Sequence, residues 1–101
     1  MTNKVFNKKY KMVFDACRKA LETLEVTVEI SDLEKGTIVG MTKTTLWSWG
    51  ENIQIIFETI NESSTRIEVE STSNSQIFSW GKNKANENSI IEIVSKILDN
   101  S

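Results

Sequence analysis

Few residues of this chain belong to the types that carry out covalent or metal chemistry. It has no histidine, which excludes a Ser-His-Asp triad, a Cys-His pair and metal sites built on imidazole. Ser79 and Lys82 have the Ser-x-x-Lys spacing of penicillin-binding enzymes, but the companion Ser-Asp-Asn and Lys-Thr-Gly motifs are missing. The one cysteine, Cys17, lies on an apolar stripe, where a buried thiol is more common than a reactive one. We therefore expect no enzyme activity, no cofactor and no metal site.

The most distinctive feature of the chain is a short segment that occurs twice. Ser48-Trp49-Gly50-Glu51-Asn52 recurs as Ser79-Trp80-Gly81-Lys82-Asn83. The two copies bracket a predicted β-hairpin, so we expect folding to bring them to the same end of one sheet. Three interpretations stay open for the aromatic rings there: a plug of the core, a half-open pocket for a small apolar ligand, or a protein-binding hot spot. The predicted cluster consists of Trp47, Trp49, Phe78 and Trp80.

Two segments have the apolar spacing of amphipathic helices. The first follows Asn7, a residue that can cap a helix by accepting a backbone N–H bond. The second is expected to begin between Asn83 and Ser89. The apolar stripes are Tyr10, Val13, Phe14, Cys17, Ala20, Leu21 and Leu24 in the first, and Ile90, Ile91, Ile93, Val94, Ile97 and Leu98 in the second.

Four segments between the helices alternate as half-buried strands do. The first has Val26, Val28 and Ile30 on its apolar side, and a turn ending at Gly36 leads into the second, over residues 37–43. The last two form a hairpin, and their expected partners are Phe57 with Ile67, Ile55 with Val69 and Ile53 with Ser71. That register also sets Glu58 opposite Arg66.

These elements predict one α+β domain over residues 1–101. Its expected architecture has two layers, with a four-stranded antiparallel sheet covered on one face by two helices. Val5 and Phe6 leave open a short additional N-terminal strand or a hydrophobic staple. On the outer face of the sheet, Ile56 and either Val39 or Met41 are expected to stand among polar residues as a candidate interface.

Composition restricts the partners and the compartment. The chain has 101 residues and a net charge of −2, which argues against strong electrostatic binding to nucleic acid or to anionic membrane. We see neither a secretory signal nor an apolar stretch near the ~20 residues that cross a bilayer. The expectation is a cytoplasmic protein, although a sequence trimmed of its leader would look the same.

The repeated segments resemble a family of small uncharacterised bacterial domains. The matching residues are Gly36-Thr37-Ile38, Ser48 to Glu51, and Trp80 to Asn83 ahead of the last helix. A wider bacterial family of unknown function is also similar, but it often has an aspartate where this chain has Phe78-Ser79. The order of elements is similar to helix-grip and TATA-binding-protein-like folds, whose members bind very different things, so the resemblance implies a fold and no activity.

Two functional hypotheses follow from the sequence. The first is a non-enzymatic protein-interaction module whose partner is an unknown protein or a second copy, as in a homodimer, bound through the outer face of the sheet. The alternative is a protein that binds a small apolar, lipid-like ligand between the sheet and the helices, with the aromatic cluster at the mouth of the pocket.

Overall fold

The computed structural model describes residues 1–42, 51–73 and 80–100, and for residues 73 and 80–85 it describes the backbone only. Five strands and two helices account for most of these residues. In chain order they are β1 (Thr2–Phe6), α1 (Tyr10–Thr23), β2 (Thr27–Asp32), β3 (Thr37–Met41), β4 (Glu51–Asn61), β5 (Ser64–Ser73) and α2 (Trp80–Asp99).

The strands form one antiparallel sheet in the order β1-β5-β4-β3-β2. The expected hairpin register is confirmed, because Phe57 pairs with Ile67, Ile55 with Val69, Ile53 with Ser71 and Glu58 with Arg66. The sheet has five strands and not only the four between the helices. The fifth is β1, which pairs antiparallel with β5 at the edge of the sheet, so the N-terminal segment forms a strand.

One face of the sheet, the inner face, forms a single core with both helices. Its buried side chains include Ile38, Ile53 and Ile55, each at most 1% exposed. The helices contribute their apolar stripes to the same cluster, and Cys17 is confirmed as a fully buried member of it. Burial raises the pKa of the Cys17 thiol, which keeps it protonated and inert. The α+β architecture is therefore built by burying one side of the sheet.

A β-bulge corrects the prediction for β2. Strict alternation placed Val26, Val28 and Ile30 on one buried side, but the register shifts between Val28 and Ile30. The extra residue moves the side chain of Ile30 to the opposite side of the sheet, beside Val39, where it is 53% exposed. In β3 the structure resolves the ambiguous pair, since Ile38 is buried and Val39 lies on the outer face.

Both helices begin at residues other than those expected. Helix α1 begins at Tyr10 without a side-chain cap, because Asn7 Oδ1 instead accepts a hydrogen bond from Ser64 Oγ at 3.3 Å. Helix α2 begins at Trp80, several residues before the predicted range. Its first turns are rich in polar residues, and these hid the helical pattern in the sequence.

Gly36 has the positive φ that the turn between β2 and β3 predicts. Its φ is +66°, and a Cβ there would lie 2.8 Å from Tyr10 Oη. The same Tyr10 hydroxyl donates a hydrogen bond to the Leu33 carbonyl at 2.7 Å. The glycine therefore allows α1 to approach the turn closely enough for this contact.

Candidate functional site

The predicted aromatic cluster lies largely outside the described residues. Trp47, Trp49 and Phe78 fall in the segments that are not described, and Trp80 is the first residue of α2, with only its backbone described. The described residues that flank both segments do meet at one end of the sheet. Glu51 pairs with Ser73, and the Thr42 N–H donates to the Glu51 carbonyl at 2.9 Å.

This end of the sheet contains two buried carboxylates, which the sequence analysis did not identify. Glu51 is 2% exposed on the inner side of β4, and Glu87 is 3% exposed on α2. The signals for both were present in the sequence. Glu51 continues the alternation of Ile53 and Ile55, and Glu87 lies three residues before Ile90 on the buried stripe of α2.

Hydrogen bonds connect the two carboxylates through Ser71. The Ser71 N–H donates to Glu87 Oε2 at 3.0 Å, and Ser71 Oγ lies 3.5 Å from Glu51 Oε2. The Asn86 amide donates to Glu51 Oε2, and Thr2 Oγ1 donates to Glu87 Oε1 at 2.6 Å. We call Thr2, Glu51, Ser71, Asn86 and Glu87 the buried polar cluster. It ties β1, β4 and β5 to the first half of α2.

The electrostatics of Glu87 fit a structural role. Burial alone would raise the pKa of its carboxyl group, but the bonds from Thr2 and from the Ser71 N–H, together with the Met1 α-amino group 3.3 Å away, lower it overall. Glu87 is therefore a bonded anion at neutral pH and is poorly suited to general acid–base work, which needs a pKa near the operating pH. Among the described residues, no group of three or more His, Cys, Asp or Glu side chains could hold a metal ion.

A small cavity lies between the sheet and the helices at the same end. Its volume is about 130 Å³, which is below the ~300–1,000 Å³ typical of ligand pockets. Both apolar and polar side chains line it. The lining residues are Leu24, Val26, Thr42, Ile53, Asn86, Ser89 and Ile90.

The outer face of the sheet holds the three predicted interface residues. Because paired residues share a face, Met41 lies opposite Asn52, Val39 opposite Gln54, and Ile56 opposite Thr37. Both Val39 and Met41 therefore stand on this face, where the sequence left a choice between them. We call Ile30, Val39, Met41 and Ile56 the apolar patch. Ile30 belongs to it because the bulge in β2 turns its side chain to the outer face.

Three glutamates border the apolar patch: Glu58 on β4, and Glu68 and Glu70 on β5. We call them the acidic row. The register puts Glu68 beside Ile56 and Glu70 beside Gln54, and Arg66 follows opposite Glu58. Arg66 lies 3.6 Å from the carboxylate of Glu58 and 3.3 Å from that of Glu68. Glu70 has no ion pair among the described residues and lines a shallow depression of about 420 Å³. Val39, Asn52, Ile53, Gln54 and Thr72 form the rest of its lining.

Comparison with known proteins does not extend this picture. No family model matches the chain, and no curated protein matches it either. The resemblance to small bacterial domains therefore stays a prediction. In the described part of the chain, neither helix is both long enough and apolar enough to span a membrane.

Proposed function

We propose that this chain is a non-enzymatic protein-interaction module that docks its partner on the outer face of the sheet. The observation that carries the proposal is the apolar patch. Ile30 and Ile56 are 53% and 39% exposed there, and Val39 and Met41 are half-buried. No element among the described residues covers this face, although both helices pack on the inner one. Contiguous exposed apolar side chains rimmed by polar ones are typical of interaction sites.

The two edges of the sheet are poorer docking sites than its outer face. The β1 edge has a lysine, Lys4, on the same side of the strand as Thr2 and buried Phe6. The β2 edge contains the bulge and has Glu29 exposed within it. Inward-facing charges and bulges discourage the addition of another strand. A partner is therefore expected to contact side chains of the face and not the backbone of an edge.

Site-specific photo-crosslinking in cells that express the chain tests the proposal. A photoreactive amino acid at Ile56 should give a discrete cross-linked protein, either another polypeptide or a second copy of the chain. Met12 on α1 is the matched control, because it is exposed to the same extent, 39%. Equal labelling from both positions, or none from position 56, would contradict the proposal.

Self-association is one form that this function could take, and it has its own test. Native mass spectrometry of the purified protein gives the oligomeric state. If the protein is a dimer, Ile56→Glu should produce a folded monomer because it places a charge inside the apolar patch, and Met12→Glu should leave the dimer intact. A dimer whose mass Ile56→Glu does not change would place the interface elsewhere.

Binding of a small apolar ligand is the second candidate, and the cavity between the sheet and helices favours it. With a volume of about 130 Å³, it suits a ligand of benzene size. The binding of such a ligand should shift the tryptophan emission and raise the melting temperature. Ser89→Leu, which puts a larger side chain at an exposed position of the lining, should abolish both effects, and Ile56→Glu should not. A broad screen of small apolar compounds, from benzene size to lipids, that moves neither observable would eliminate this candidate.

A further inference from the structure

We infer that the occupant of the outer face is a protein segment with apolar side chains flanked by lysine or arginine. This inference rests on the proposed docking face and adds the chemistry of the partner. It depends on two properties of that face: the size of the apolar patch, and the sign of the charges that border it.

The charges next to the apolar patch are mostly negative. Glu58, Glu68 and Glu70 lie on the outer sides of β4 and β5, and Arg66 is the cation among them. Arg66 is already shared between Glu58 and Glu68. Glu70 has no such neighbour within the described residues, and its side chain borders the depression next to Val39. A segment that lays an apolar side chain on Val39 and Ile56 therefore brings its flanking residues to Glu68 and Glu70, where a cation is favoured.

The size of the patch argues against a second copy as the occupant. With strands about 4.8 Å apart and rows about 6.8 Å apart, the three strands and three rows that contain the patch cover roughly 300 Å², and that area includes polar positions such as Thr37 and Gln54. A stable interface needs about 600–800 Å² from each partner. A second copy would therefore have to bury the acidic row as well.

Burial of the acidic row between two copies is unfavourable. The contact would gather the three glutamates Glu58, Glu68 and Glu70 from each copy around two arginines. The same charges repel nucleic acid and anionic lipid. A cationic apolar segment avoids both problems. It can be narrow enough for the small area of the patch, and its positive charges are complementary to the glutamates of the face.

Fluorescence anisotropy with two model peptides tests the inference. The probes are a labelled amphipathic 14-residue peptide of leucine and lysine, and its counterpart of leucine and glutamate. The lysine peptide should bind the wild-type chain, and its affinity should decrease as salt is raised. The glutamate peptide should not bind. Equal binding of both peptides, or no binding of the lysine peptide, would overturn the inference.

Charge-matched variants show whether binding occurs at the outer face. Glu68→Gln combined with Glu70→Gln should weaken the binding of the lysine peptide by about tenfold, since each lost charge pair near a surface contributes roughly 0.5–1 kcal/mol. Ile56→Ser should also lower the affinity for the lysine peptide, because it removes an apolar contact. Asp15→Asn combined with Glu22→Gln, both exposed on α1, makes the same change in net charge and should leave the affinity unchanged. Equal loss in the control would mean attraction by net charge alone and would refute the proposed site.

Two further measurements separate this inference from the proposed function. Circular dichroism shows whether each variant is folded, and the double substitution of Glu68 and Glu70 on the outer face is not expected to affect folding. Sedimentation at the assay concentration detects a dimer, which would overturn the inference and leave the docking face in place. If crosslinks from position 56 find a partner but the lysine peptide does not bind, the cationic chemistry is wrong. If both experiments fail, the docking face itself is wrong.

Discussion

The two faces of the sheet are built from alternate residues of the same strands, and their environments differ sharply. Ile55 and Ile56 are neighbours in β4 with identical side chains, yet Ile55 is fully buried and Ile56 is 39% exposed. The inner face packs against two helices and contains the buried polar cluster. The outer face has apolar side chains bordered by glutamates. The difference separates residues that are packed in the core from residues whose side chains stay accessible to solvent on the outer face.

The largest expected difference is between substitutions of these two isoleucines. Ile55→Ala should lower the free energy of unfolding by about 2–5 kcal/mol, because it removes buried methyl groups and leaves a cavity. Ile56→Ala should lower it by less than about 1 kcal/mol. Urea denaturation of both variants measures the two changes. Similar losses would mean that the outer face also contributes to the core, and that the distinction between the faces is wrong.

Glu87 tests the polar part of the inner face. Glu87→Gln should lower the free energy of unfolding by about 1–3 kcal/mol at neutral pH, because a neutral amide accepts hydrogen bonds from the buried donors less well than the carboxylate does. The pKa of Glu87 is lowered in the folded state. The stability that Glu87 contributes is therefore fully present above the pKa of a glutamate in the unfolded chain, about 4.3. The contribution is lost as the pH falls toward the folded pKa.

Denaturation between pH 7 and pH 3 should therefore show a smaller loss of stability in Glu87→Gln than in the wild type. Glu92→Gln is the control on the same helix, because Glu92 is 68% exposed and pairs with the equally exposed Lys96 at 3.4 Å. Its pH profile should follow that of the wild type. Parallel profiles for all three proteins would contradict the role assigned to Glu87.

The smallest effect is expected for the ion pairs of the outer face. Arg66→Gln removes contacts of 3.6 Å to Glu58 and 3.3 Å to Glu68. Both pairs are accessible to solvent, so the substitution should lower the free energy of unfolding by no more than about 1 kcal/mol, and by less at high salt. Thermal denaturation at two salt concentrations measures this. A loss comparable with that of Ile55→Ala would show that the outer face stabilises the fold after all.

Local patterns predicted the hairpin and its register, because alternation and the Glu58–Arg66 pair are properties of neighbouring segments. Features that depend on distant contacts were not predictable in the same way. Asn7 bonds to Ser64 instead of capping α1, and β1 pairs with a strand some sixty residues away along the chain. The bulge that moved Ile30 to the outer face follows from the pairing of β2 with β3 and leaves no mark in the alternation.

The candidate site was predicted in part. Alternation predicts Ile56 and either Val39 or Met41 on the outer face, and the register places all three there. Glu51 and Glu87 were missed even though they lie on buried stripes, because an isolated glutamate in a sequence is normally expected in solvent. Only the donors gathered around them by folding, Ser71 and Thr2 among others, make their burial favourable.

The position of β1 at the edge of the sheet has a consequence for how the chain acquires its fold. Thr2 pairs with Val69 and Phe6 with Thr65, so β1 is synthesised well before the strand that it pairs with. The β2–β3 and β4–β5 hairpins close over much shorter separations. Because long-range closure is slow, we expect the docking of β1 to be a late event in folding. During synthesis the β5 edge then stays open to intermolecular pairing until β1 covers it.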